Sequence, residues 1–116
     1  MEILTYELRI NTEEKFYENV SSIVELQPKS YKYGWIYEIV FEEQKEYYDI
    51  IAKLLDSLEG KYEKLQELGI ENNDISIWLI YGYNNQCNME FEPSTLERVG
   101  NKGIKLCISC YEAGSE

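Results

Sequence analysis

Short stretches of the chain alternate apolar and polar residues, and one long stretch repeats its apolar residues at helical spacing. The long stretch is 42–68, EEQKEYYDIIAKLLDSLEGKYEKLQEL. Tyr47, Ile51, Leu54, Leu55, Leu58, Tyr62, Leu65 and Leu68 recur three and four apart, which places them on one stripe of an α-helix. Glu46, Lys53, Asp56, Glu59, Lys64 and Glu67 fall between them and suit a wet face. Gly60 marks a kink, and Gly69 follows the last apolar residue, where a left-handed cap costs least. Such a helix needs a sheet or another helix over its stripe, and the alternating segments supply the sheet.

Residues 3–10 place Leu4, Tyr6, Leu8 and Ile10 on one face and Thr5, Glu7 and Arg9 on the other, a half-buried strand. Asn11 precedes Glu14 by three, which predicts a capping box opening a helix over 12–24 with Phe16, Val20 and Ile23 as its stripe. Pro28 makes 25–34 a loop. Residues 35–41, WIYEIVF, predict a second strand, and 74–83, DISIWLIYGY, a third and central one. Asn84 to Gln86 are turn material. Residues 88–91, NMEF, then predict a short fourth strand that closes a hairpin. Pro93 opens a short helix over 93–99, ended by Gly100 and Gly103, and 104–111, IKLCISCY, is the last strand.

The order is β-α-β-α-β-β-α-β, which is α/β-like. The strands alternate, whereas a sheet covered on both faces has strands that are apolar throughout. The expected class is therefore α+β: a single mixed sheet of about five strands with helices packed on one face, forming one domain over 1–116.

Charge narrows the function. The 116 residues carry a net charge of −11, against the basic footprint that nucleic acids or anionic membranes require. A basic protein partner, or solubility alone, remains. No apolar run approaches the roughly 18 residues that span a membrane. The start, MEILTYELRI, lacks a basic region followed by an apolar one, so no signal peptide is expected. Three cysteines without a secretion signal then imply a reducing, cytoplasmic setting.

Several of these features, in order, resemble a bacterial family known as domain of unknown function 4279. They are a short first strand, a helix, a loop with Pro28 and Gly34, and Trp35 opening the next strand. The leucine-rich helix IIAKLLDSLEGKYEKLQELGI follows, and the strand, hairpin, short helix and strand of DISIWLIYGYNNQCNMEFEPSTLERVGNKGIKLCISCYE close the match. The resemblance spans nearly the whole chain and implies no established activity and no functional residues.

Little else points to chemistry. The chain has no histidine, which removes the commonest general base and metal ligand. No glycine-rich phosphate motif occurs. Cys107 and Cys110 form a C-x-x-C on a strand, where positions three apart face opposite ways, so they read as structural thiols rather than a redox or metal pair. Pairs such as Glu13/Glu14 and Glu42/Glu43 are expected by chance among 22 acidic residues. No catalytic residue, cofactor or metal is expected.

Two features could bind a partner. Glu38, Glu42, Glu43, Glu46 and Asp49 crowd twelve residues, and Glu42, Glu46 and Asp49 share one helical side. They form either a solvated helix start or a docking patch for a basic protein. The second feature is the sheet face turned from the helices: Thr5, Glu7, Arg9, Ile36, Glu38, Val40, Ser76, Trp78, Ile80, Lys105, Cys107, Ser109 and Tyr111. Its apolar centre and Trp78 resemble an interaction surface. The candidate partner-binding residues are Trp78, Ile36, Ile80, Glu38, Glu42, Glu46, Asp49 and Tyr111.

The leading reading is a non-enzymatic, acidic, cytosolic binding protein, in its sharpest form an immunity-type inhibitor of a basic toxin or nuclease. Two alternatives stay open. One is a structural or regulatory module that self-associates, as a homodimer, through the open sheet face. The other is a small enzyme with a tyrosine and carboxylate pocket.

Overall fold

The computed structural model describes residues 3–29, 34–41, 49–85 and 89–113. Four strands form one sheet: β1 (Ile3–Ile10), β2 (Trp35–Phe41), β3 (Ile75–Tyr83) and β4 (Lys105–Glu112), in the spatial order β2-β1-β3-β4. β1 is antiparallel to both its neighbours, and β3 and β4 are parallel. The helices are α1 (Tyr17–Val24), α2 (Ile50–Leu58), α3 (Tyr62–Glu67) and α4 (Pro93–Lys102). The parallel β3–β4 pair is joined through α4, as parallel neighbours need a long crossover.

Register decides which side chains meet. Leu8 stands between Tyr37 and Ile77, and Ile10 between Trp35 and Ile75. With Leu4, Tyr6 and Leu79, these residues face the helices and share one core with Val20, Val24, Ile51, Leu54, Leu55, Leu58 and Leu65. Trp35 is fully buried there, and its indole Nε1 donates to Ser21 Oγ at 2.9 Å, which satisfies a polar group that burial would otherwise strand. The helices thus lie on one face of a mixed α+β sheet.

Three expectations need correction. First, the sheet has four strands among the described residues, not five. Residues 89–91 of the expected fourth strand carry no regular structure, and Met89 and Phe91 instead turn toward the core. Second, the expected long helix is two helices. It starts at Ile50, because Asp49 caps it by accepting from the Ala52 backbone N–H at 3.0 Å. It breaks where Glu59 is extended and Gly60 takes φ 77°, a conformation that other residues adopt only under strain. Residues 42–48 lie outside the described residues. Third, Asn11 caps nothing. Its backbone N–H donates to the Asp74 carbonyl, and the first helical residues form a short 3₁₀ turn, Glu14–Phe16, with no side-chain cap. A reciprocal capping box forms instead between Glu71 and Asp74, at the 3₁₀ turn leading into β3.

The remaining boundaries follow local chemistry. α1 ends at Glu25 with φ 59°, and Pro28 bars its continuation. α4 has Pro93 in its first turn and runs through Gly100 to a left-handed cap at Gly103. No helix among the described residues is long and apolar enough to cross a membrane.

Candidate functional site

The sheet face turned from the helices carries the residues expected there, arranged in cross-strand rows. One row is Val40, Thr5, Ile80, Ser109; the next is Glu38, Glu7, Trp78, Cys107; the third is Ile36, Arg9, Ser76, Lys105. Tyr111 lies beside Gly82, so close that a Cβ added at 82 would sit 2.6 Å from the phenol ring. Glycine at 82 is what lets the tyrosine ring lie down on the strand.

The middle row holds a charge cluster. Glu7 is 2% exposed, yet its carboxylate is fully engaged. Arg9 donates from Nε at 2.8 Å and approaches through a terminal nitrogen at 2.7 Å. Lys29 Nζ donates at 2.7 Å to the other oxygen of Glu7 and at 2.8 Å to Glu38. Burial alone would push the Glu7 carboxyl up. The hydrogen bonds and charges of Lys29 and Arg9 outweigh it and hold the group below the usual carboxylate range. The same contacts, Glu38 first, raise the Lys29 ammonium above its ordinary value. The Lys29 backbone N–H also donates to the Ile36 carbonyl at 2.8 Å, so the loop after α1 is tied to β2 by main chain and side chain together.

Trp78 is positioned by this cluster. The Arg9 guanidinium carbon stands 4.0 Å from the indole centroid, and Trp78 Nε1 donates to Ser76 Oγ at 3.0 Å. A half-buried tryptophan held at its ring face and its nitrogen loses little side-chain freedom on meeting a partner.

The structure brings together Trp78, Ile80, Glu38 and Tyr111 on this face. It separates the others. Ile36 shares the face but is 8% exposed, shut in beside Arg9 and the Lys29 backbone, so it is unavailable for contact. Asp49 belongs to the helix layer, where one carboxylate oxygen caps α2 and the other accepts from Thr95 Oγ1 on α4. It serves as a structural cap that ties α2 to α4. Glu42 and Glu46 lie outside the described residues. Glu38 is charge-paired with Lys29, and Arg9, Lys29 and Lys105 make this face nearly neutral rather than acidic.

Sequence reading missed the Glu7 clamp. It placed Glu7 on the strand face turned from the helices but did not foresee its burial. The available signal was Glu7 and Arg9 two apart on one strand face, with a lysine just past Pro28; the register that joins them was not visible.

Apart from this face, a concavity lies between α2, α3 and α4. It holds about 230 Å³ and is lined by Leu55, Glu59, Tyr62, Arg98, Asn101 and Lys102. Its charges pair with one another: Arg98 reaches Asp56 at 2.8 Å and Glu59 at 3.8 Å, and Lys102 sits 4.8 Å from the Tyr62 ring centroid. Burial, aided by the charge of Glu59, pushes the Tyr62 phenol up, so it stays protonated near neutral pH. Cys107 faces the open side with Trp78, and Cys110 the helix side with Tyr81, as expected for a C-x-x-C on a strand. Among the described residues, no three side chains of the histidine, cysteine, aspartate and glutamate types converge.

One sheet with helices on a single face, and an aromatic-centred opposite face, defines a two-layer α+β domain. The family model described as Domain of unknown function (DUF4279) matches residues 4–113, and the chain belongs to that family. No curated protein and no solved structure matches it.

Proposed function

We propose that this protein is a non-enzymatic binding protein that docks a basic protein partner on its open sheet face. In its sharpest form it is an immunity-type protein that neutralises a basic toxin or nuclease. The observation that carries this reading is Trp78, held in place by Arg9 and Ser76 at the centre of a face that the described helices leave uncovered. Tryptophans in such settings dominate binding energy, and Tyr111 and Ile80 extend the apolar contact. The face itself is nearly neutral, so charge acts at long range. A net charge of −11 draws a basic partner in, and the aromatic centre then holds it.

The test is protection in cells. A basic toxin or nuclease domain encoded beside this chain is expressed with the wild-type chain or with Trp78→Ala. The expected result is survival with the wild type and killing with Trp78→Ala, although Trp78→Ala is folded. In vitro, the substitution should raise the dissociation rate by about tenfold or more and leave association largely unchanged. Killing with both chains overturns the immunity form, and equal protection by both removes docking from this face.

A further inference from the structure

Among the described residues, β4 has a strand neighbour on one side only. Proteins usually guard such an edge with proline, a bulge or several charges. The eight residues of β4, KLCISCYE, contain no proline and no glycine, and their charges stand only at the two ends. Ile108 is in register with Leu79 and points to the helix-covered side. Leu79 is 2% exposed there, whereas Ile108 is 48% exposed. On the open side, Tyr111 is 46% exposed. The strand therefore offers a hydrogen-bonding edge flanked by half-wetted apolar groups on both faces.

Charge selects the occupant. The chain as a whole is strongly acidic, but β4 carries one lysine, Lys105, and one glutamate, Glu112, and is locally neutral. Along this edge a basic strand meets a single carboxylate, Glu112, at one end. A second β4 matches both ends: antiparallel pairing sets the lysine end of each strand against the glutamate end of the other. We propose that two copies of this chain pair β4 to β4, antiparallel, about a two-fold axis at Ile108 perpendicular to the sheet. That axis keeps both helix layers on one side and joins two four-stranded sheets into one. Ile108 then meets the partner's Ile108, a β-branched pair of the kind that stabilises sheets, and Lys105 lies along the partner's Tyr111. A register centred on Ser109 would oppose two serines and leave each Ile108 beside the partner's Cys110. Because the contact is isologous, it uses up both β4 edges and stops at the dimer.

Sedimentation over about 1–100 µM tests the pairing on the isolated chain. The expected mass rises from 13.7 kDa to twice that value as concentration increases. Ile108→Lys should raise the dimer dissociation constant at least about tenfold with an unchanged circular dichroism spectrum, and Trp78→Ala should leave the dimer intact. Register is read separately. With Cys87, Cys107 and Cys110 replaced by serine, Ile108→Cys should form an intermolecular disulfide on mild oxidation, and Ser109→Cys should not. A wild-type monomer throughout the range, a dimer indifferent to Ile108→Lys, or cross-linking through position 109 in preference to 108 overturns the proposal. None of these outcomes depends on the toxin partner, so this pairing and the docking face stand or fall separately.

Discussion

Strand β1 buries side chains on both of its faces, but by different physics. Toward the helices, Leu4, Leu8 and Ile10 are excluded from water by apolar contact. Toward the open side, Glu7 is almost as completely buried as Leu8, with ammonium and guanidinium partners in place of a helix. The first kind of burial has no charge to titrate or screen. The second exists only while the carboxylate is ionised and both cations are in place. A sheet face can therefore be shut over its centre by two long side chains, leaving the rest of the face for an aromatic group.

That contrast can be tested by substitution. The largest effects belong to the helix side. Leu54→Ala and Leu58→Ala should each cost about 2–5 kcal/mol, measured by denaturant unfolding, because both side chains are essentially inaccessible in the core. Costs below about 1 kcal/mol at both positions would mean the helix layer relaxes freely over the sheet. Glu7→Ala should cost less, about 1–3 kcal/mol, because Arg9 and Lys29 are more than a third exposed and rehydrate once the carboxylate is gone. If Glu7→Ala proves as costly as the leucine truncations, the clamp supports the core as well as closing the open face.

The smallest effect is a pH dependence with a definite sign. The folded Glu7 carboxyl is held below its unfolded value, so the stability it supplies is fully present above about pH 4.3 and is lost as pH falls through the folded value. Glu7→Gln should flatten this acid limb of the stability curve, and Leu54→Ala should lower the whole curve while keeping the limb. An acid limb unchanged in Glu7→Gln would assign it to other carboxylates.

The chain makes some of this plain and hides the rest. Alternation at 3–10 and 35–41 marks β1 and β2 to the residue, because a two-residue period with one wet face has few other solutions. The same alternation sorts Trp78, Ile80 and Tyr111 onto one face before any register is known. The stripe from Ile51 to Leu68 correctly marks the buried side of α2 and α3. It does not reveal that Asp49 starts the first helix, since a cap and an acidic helix face use the same residue type. NMEF reads as a strand locally, but Met89 and Phe91 find their burial against the core without a ladder. The Glu7 clamp is tertiary: Lys29 lies 22 residues away and meets β1 only through the fold.

The strand order also bears on how the chain reaches its native state. β1 sits between β2 and β3, and Thr5 faces Ile80 across 75 positions of sequence. Its other partner, β2, lies much nearer in the chain, with Ile10 facing Trp35. The β1–β2 ribbon can therefore close early, while the β1–β3 ladder must wait for a long loop whose closure costs entropy before any contact repays it. During that interval β1 presents an unpaired edge and an uncovered row of Leu4, Tyr6, Leu8 and Ile10. Folding speed thus rests on how quickly β3 arrives.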